Sequence, residues 1–300
     1  MTVLDTRPEV DLDVTLLSGS IGAEIRGVDL KQPLDTDTLA AVRAVWVQRR
    51  VVFFPGQHLD PAQHVAFARQ FGEVTPAHPV IPGIEGHPEV FEIDYGKAGE
   101  LAKQYGAVGL KRGLHWHSDV TFVHRPPTGS ILNAVVVPPA GGDTLWTDQI
   151  AAFAALSPAL QEFLSTLTAV HDGAANFAGL LEKRKEAGDE GGEWDGEVYA
   201  SLEPVSHPVV RTHAESGEKI LFVNPGFTSH IAELDRAESD ALLAFLYAHS
   251  SQPEFVVRYH WHAGDLGFWD NRSTWHSVAG DYGDQDRVIQ RVTLKGDAPV

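Results

Sequence analysis

The run Leu114-His115-Trp116-His117-Ser118-Asp119 sets three metal-capable side chains at alternate positions. On a strand, successive side chains point to opposite faces, so His115, His117 and Asp119 would share one face. Strand residues two apart are separated by roughly 7 Å and can converge on one ion, whereas His115 and Asp119, about 13 Å apart, cannot easily do so. The pair is therefore His115 with His117 or His117 with Asp119, and spacing does not choose between them. His276, far downstream in the run WDNRSTWH, is the distant second histidine that a facial triad requires. Two histidines and a carboxylate bind one face of Fe(II) and leave the other positions open, which structural zinc sites do not.

Near the C-terminus, Arg287 and Arg291 fall on one face if VIQRVTL is a strand. Each guanidinium can grip a carboxylate or sulfonate in a forked geometry, so the two suit two anionic ligands. A second reading makes Arg291 half of a structural ion pair with Asp281, Asp284 or Asp286. His260 and His262 are expected to be structural or solvent-facing, His115 to have an outer polar role, and Trp116, Trp146 and Trp269 to pack in the core.

Composition narrows the partners. A net charge of -18 over 300 residues repels polyanions, so neither nucleic acid nor an anionic membrane face is expected, and small molecules are. If those molecules are anions, particular arginines must overcome that field. With no cysteine, thiolate sites and disulfides are excluded, leaving histidine and carboxylate as the strong metal ligands. The N-terminal string MTVLDTRPEVDLD has no basic and apolar leader pattern, and no apolar run approaches a membrane span, so a cytoplasmic location is expected.

The elements that must position these residues are marked by caps and periodicity. Asp60-Pro61 and Ser157-Pro158 supply N-caps with proline at the first helical position. Asp235 and Glu238 have capping-box spacing ahead of a stripe at Leu242, Leu243 and Leu246. Leu39, Val42, Val45 and Trp46 predict an earlier helix. Short β-branched and aromatic runs at 51, 90, 131, 220, 255 and 288 predict strands bounded by Gly and Pro. The chain therefore reads as mainly β with flanking helices, a jelly roll rather than a doubly wound α/β sheet, over a single domain at 1–300. Segment 172–203, rich in glycine and charge, is expected to build no core and to be a lid or a surface loop.

Taken together, HPVIP at 78, WHSDVTF at 116, GGDTLWTD at 141, HPVVRTH at 207, LFVNPGFT at 221, WDNRSTWH at 269 and the closing RVIQRVTLKGD resemble the TauD/TfdA family of Fe(II)- and 2-oxoglutarate-dependent dioxygenases. The resemblance covers most of the chain. It implies a double-stranded β-helix with His117, Asp119 and His276 as iron ligands, and so resolves the ambiguity against His115. It places Thr144 and Arg287 on the far carboxylate of the co-substrate 2-oxoglutarate, with O2 as the oxidant. It assigns His78 and Arg291 to the substrate's anionic group, and Asn176, Phe177 and Phe227 to the pocket wall.

The implied reaction hydroxylates the carbon beside a sulfonate or sulfate, releasing sulfite or sulfate with an aldehyde, succinate and CO2, as in taurine catabolism and sulfur metabolism. Two positions depart from the taurine-cleaving pattern: Ile81 stands where a tyrosine is expected and Gly113 where an asparagine is. Alkyl sulfonates or sulfate esters are therefore expected ahead of taurine. A carboxylate substrate such as an aryloxyalkanoate is the alternative within the same chemistry. A zinc hydrolase or a non-catalytic metal-binding jelly roll is the remote one. The partner is a small anionic substrate, and a homo-oligomer is left open.

Overall fold

The computed structural model describes residues 10–94, 115–186, 188, 192–194, 197–199 and 202–300. Its largest sheet has seven strands in the spatial order Asp13–Leu16, Ala23–Arg26, Val51–Phe54, Leu266–Asp270, Gly129–Val136, Val288–Leu294 and Phe91–Asp94. Every pairing in it is antiparallel except Ala23–Arg26 with Val51–Phe54. Facing it is a three-stranded sheet in which Thr144–Asp148 lies between Val256–Tyr259 and Thr274–Val278. A second three-stranded sheet, Val205–Pro208, Thr168–His171 and Thr228–Ile231, builds its own core against the helix Arg236–Ser250. This is the jelly roll with flanking helices that the strand runs predict, and the double-stranded β-helix that the resemblance implies.

The two-residue period of one strand explains the layering. Val51 and Phe53 join Trp146, Tyr259 and Trp261 in the core between the sheets, while Val52 and Phe54 join Trp46, Val65 and Phe67 beneath the helices Thr36–Arg49 and Pro61–Arg69. A strand covered on both sides has no solvent face, which is why VVFF reads as an unbroken apolar run. Phe53 stacks on Tyr259 at 3.8 Å between ring centres, and Trp46 stacks on Phe268 at 4.2 Å. The same alternation on Val288–Leu294 sends Val292 and Leu294 to the helix side and Ile289 to the inter-sheet side. Arg291 shares the parity of Ile289, pairs in register with Leu132, and so faces the interior.

The expected caps are present. Asp60 and Asp235 each form a complete capping box, and Ser157 accepts from the Leu160 amide. The reading of segment 172–203 needs correction in part. It forms a helix at Ala174–Glu186 and a hairpin of Gly192–Trp194 with Glu197–Tyr199. Trp194 is buried with Val120, Phe122, Val123 and Phe227, and Phe177 and Leu202 pack against them. Three apolar anchors give this polar, glycine-rich stretch a core that its average composition hides. Gly113 lies outside the described residues.

His64 is fully buried on Pro61–Arg69, and its Nε2–H donates to the Ile131 carbonyl at 3.0 Å. Burial pushes the imidazole down to about 4 from an ordinary 6.5. Above the ordinary value the ring is neutral whether the chain is folded or not. Below it, only the unfolded chain takes up the proton, so stability is lost as pH falls toward 4. His64→Gln keeps a donor and cannot titrate. In urea unfolding between pH 7 and pH 4.5 it should flatten the acid slope by up to about 1.4 kcal/mol per pH unit.

Candidate metal centre

His117 and His276 come together through a backbone bridge between their two segments. The His117 N–H donates to the His276 carbonyl at 3.1 Å, and the His276 N–H to the His117 carbonyl at 2.8 Å. His276 belongs to Thr274–Val278 and lies opposite Trp146, a residue of the inter-sheet core, so its ring enters the sandwich and packs 4.9 Å from Trp269. The two imidazole centres are 4.2 Å apart.

Asp119 arrives by a different route from the one its spacing suggests. Beyond His117 the chain does not continue as a strand; it turns, and Val120 adopts a left-handed φ of 54°. For a β-branched residue that conformation costs on the order of 1–3 kcal/mol and persists only where the surroundings fix it. The Asn271 side chain grips the residue before Val120, accepting from the Asp119 N–H at 2.8 Å and donating to the Asp119 carbonyl at 2.9 Å. The shared strand face of His115, His117 and Asp119 is therefore not formed, and the Asp119 backbone bonds to a side-chain amide in place of a strand partner.

The carboxylate ends with Oδ1 at 3.9 Å from Nε2 of both histidines, while the Ser130 hydroxyl donates to Oδ2 at 2.9 Å. One atom from each of His117, Asp119 and His276 lies within 4.8 Å of the others, and among the described residues no other such group of His, Asp or Glu occurs. His115 is not part of it: its carbonyl accepts the His117 Nδ1–H at 2.9 Å, which leaves the Nε2 lone pair toward the cluster. Burial, then His117, pushes His276 down to about 3, so its ring is neutral at physiological pH. Burial alone would raise Asp119, but the adjoining Arg291 guanidinium and the imidazoles hold it well below the usual carboxylate range. All three groups present unprotonated donor atoms from one side, and no thiolate is among them. That donor set fits Fe(II) with open positions.

The two arginines serve different places. Arg291 pairs with Asp119 Oδ1, not with Asp281, Asp284 or Asp286. Its guanidinium lies 5.1 Å from the Phe91 ring centre, and its buried Nε–H has no hydrogen-bond partner. Asp281 is held by Arg258 and the Gly142 amide instead. Arg287, fully buried one position before its strand, donates from Nε to the Gly142 carbonyl at 3.1 Å and approaches Thr144 Oγ1 at 3.5 Å. Trp261 Nε1–H also donates to Thr144 Oγ1, at 2.9 Å, which directs the threonine's own proton elsewhere. Gly142 has φ +70°, and a β-carbon there would press on the Arg287 side chain at 3.2 Å.

His78 is buried, and its Nδ1 accepts from the Val80 and Ile81 amides at 3.1 and 3.3 Å, so Nε2 carries the ring proton. Phe91, Phe122 and Phe177 surround it, with Phe177 nearest at 4.8 Å between ring centres. Phe227 stands edge-on to His117 at 6.1 Å and to Phe122 at 4.9 Å. Asn176 donates to the Gly226 carbonyl at 3.2 Å. His78, Asn176, Phe177 and Phe227 thus lie in one aromatic region beside the histidine pair, whereas Thr144 and Arg287 form a cationic corner of their own. Phe91, Phe122, Ser130, Gly226 and Asn271 were not singled out, although WHSDVTF, NPGF and WDNR contain three of them.

Residues 13–293 match the family model described as taurine catabolism dioxygenase TauD, TfdA family. The chain belongs to the TauD/TfdA family. It is similar to an alpha-ketoglutarate-dependent sulfate ester dioxygenase of Pseudomonas putida, at 40% identity over 99% of this chain and 94% of the relative. It is 35% identical to an alpha-ketoglutarate-dependent 2,4-dichlorophenoxyacetate dioxygenase of Cupriavidus pinatubonensis, over 93% of this chain and 96% of that one. Among solved structures, a taurine dioxygenase from Burkholderia xenovorans superposes with a TM-score of 0.78 at 40% identity, over 96% of this chain and 92% of that one. As a member of the TauD/TfdA family, the protein is a 2-oxoglutarate-dependent dioxygenase using Fe(II), 2-oxoglutarate and O2. No helix among the described residues is long and apolar enough to cross a membrane.

The backbone of Gly226 lies against His117, where an added β-carbon would sit 2.6 Å from the His117 Cβ. His117 cannot retreat without breaking its bridge to His276. Gly226→Ala should therefore weaken divalent-metal binding by roughly tenfold or more, the scale seen when groups supporting a metal ligand are lost. Calorimetric titration with Co(II) checks this, and unchanged affinity would show that His117 has room to move.

Proposed function

We propose that this dioxygenase oxidises the carbon bearing a sulfate or sulfonate group on an alkyl chain, with medium-chain alkyl sulfate esters as the preferred substrates. The observation that carries the reading is Arg291: a buried guanidinium with an unpartnered Nε–H, set against Phe91 and beside Asp119. A buried N–H without a partner is strongly unfavourable unless an acceptor reaches it, and a sulfate oxygen is such an acceptor. Phe91, Phe122, Phe177 and Phe227 offer an alkyl chain apolar walls, and Ile81 offers an ammonium group no hydrogen bond. The 40% identity to a sulfate ester dioxygenase supports the same choice.

In this reading His117, Asp119 and His276 hold Fe(II), which when bound supplies O2 activation coupled to the decarboxylation of 2-oxoglutarate to succinate and CO2. Arg287 forks the far carboxylate of 2-oxoglutarate, and Thr144, whose oxygen already accepts from Trp261, donates its proton to the same carboxylate. His78 Nε2–H and Arg291 orient the sulfate, and Asn176, Phe177 and Phe227 exclude water over the reacting carbon. Once that carbon carries a hydroxyl, loss of the hydroxyl proton and cleavage of the C–O bond to sulfate leave an aldehyde. A sulfonate would instead break its C–S bond and release sulfite. The proposal takes 1–300 as one catalytic domain with 172–203 covering the pocket, acting in the cytoplasm on a small anion.

Each methylene buried against those walls gains on the order of 0.8 kcal/mol, so hexyl sulfate should exceed taurine in kcat/KM by at least one to two decades. Succinate formation measured for hexyl sulfate, hexanesulfonate, taurine and 2,4-dichlorophenoxyacetate ranks them under one set of conditions. Preference for taurine, or for the aryloxyacetate on which the 35% identical relative acts, would overturn the choice.

Arg287→Ala would leave an anion in a partly dry corner without its cation. Breaking such a pair costs roughly 2–5 kcal/mol, and the loss should appear as a higher apparent KM for 2-oxoglutarate. An unchanged KM in the folded variant would assign the co-substrate to another residue.

A further inference from the structure

We propose that Asn271 is a positioning residue for the metal centre, its side-chain amide clamping the backbone of Asp119 so that the carboxylate meets both histidines. This rests on the reading of His117, Asp119 and His276 as metal ligands and, for its turnover readout, on hexyl sulfate being a substrate of the wild type.

Asn271 is fully buried, and its amide is completely used. Oδ1 accepts from the Asp119 N–H at 2.8 Å, and Nδ2 donates to the Asp119 carbonyl at 2.9 Å and to the Pro127 carbonyl at 3.3 Å. The amide thus stands in for a strand partner at the one residue where the chain leaves the extended conformation, next to the left-handed Val120. Only a side chain with an acceptor and a two-proton donor on one carbon can make all three bonds.

The clamp has a rigid base. Asp270, fully buried, receives Arg272 through Nε at 2.9 Å and Nη2 at 2.6 Å, and His213 Nε2 at 2.7 Å. The Asn271 N–H donates to the Thr128 carbonyl at 3.0 Å. From this turn the chain enters Thr274–Val278, which carries His276, and the Thr274 carbonyl accepts the Ser118 hydroxyl at 2.7 Å. Asn271 therefore ties the carboxylate segment to the segment that carries the distant histidine. Ser130 and Arg291 fix the carboxylate's oxygens, whereas Asn271 fixes where its Cα stands. A shift of Cα by a fraction of an ångström would swing Oδ1 away from the shared point, and geometry of that kind decides both affinity and productive orientation.

The test uses the full chain with Co(II) as an air-stable probe, and compares wild type, Asn271→Ala, Asn271→Asp, His276→Ala and Leu246→Ala. The last removes a buried leucine from the separate core under Arg236–Ser250 and controls for lost stability. Wild type and Leu246→Ala should bind Co(II) alike. Asn271→Ala should bind it roughly 10- to 100-fold more weakly and, with Fe(II), form more succinate than sulfate from hexyl sulfate. Asn271→Asp, nearly isosteric but unable to donate to either carbonyl, carries the same expectation if the alanine variant does not fold. Wild-type Co(II) affinity with succinate and sulfate formed equally, in an Asn271 variant whose Tm falls no further than that of Leu246→Ala, would reduce the residue to a purely structural one and overturn the proposal. If His276→Ala binds Co(II) as tightly as wild type, the metal-centre reading fails instead, whatever Asn271 does.

Discussion

A carboxylate held out of water beside two uncharged imidazoles is the constraint around which this protein is organised. Asp119 is 3% exposed, and an unpaired carboxylate at such a place would take up a proton and cease to be a ligand. Arg291 prevents that by pairing with Oδ1. Burial meanwhile keeps His276 neutral, so the same low-polarity surroundings that threaten the carboxylate favour the histidine as a lone-pair donor. Opposite effects of burial on an acid and a base are balanced by one guanidinium.

The sandwich supplies the geometry that this balance needs. Arg291 faces inward because the parity of its strand points Ile289 and Arg291 toward the small sheet, and that parity is fixed by Val292 and Leu294 packing under the helices. A register slip of one residue would turn the arginine out and put Gln290 or Val292 in its place. His276 is fixed in the same way by its place opposite Trp146. The aromatic layer between the sheets is therefore also the scaffold of the metal centre.

The aromatic cluster beside the centre is built from segments with no common strand. His78 lies in a loop after Pro61–Arg69, Phe122 in the turn beyond Asp119, Phe177 on Ala174–Glu186 and Phe227 in the turn before Thr228–Ile231. Phe227 is set by Asn224, which accepts from the Phe227 N–H at 2.9 Å and donates to Thr121 Oγ1 at 2.9 Å. Buried Trp194 backs the same cluster. The glycine-rich segment thus adds Phe177 and Trp194 to this aromatic cluster, while Glu182, Lys183, Lys185 and Glu186 on its helix are exposed.

Much of this was legible in the chain alone, and the divide follows from the range of the forces involved. Caps, the alternation of buried residues and the pairing of a His-x-Asp with a remote histidine are local or compositional. They announced the strands, the helices, the jelly roll and the ligand types, and the ordered set of motifs pointed to the family. The choice between His115 and Asp119 could not be made from spacing, because both satisfy a strand's period equally. It turns on Asn271, whose amide grips Asp119 beside the bend at Val120, and nothing near Asp119 in sequence signals that amide. Likewise, Arg291 finds Asp119 and not the acidic residues closer to it in the chain, since the strand carries it inward while Asp281 is drawn to Arg258 and Gly142. Residue types and periods are written along the chain, but the partner of a buried charge is decided by which segments packing brings within a few ångströms, where desolvation makes one pairing much more favourable than the rest.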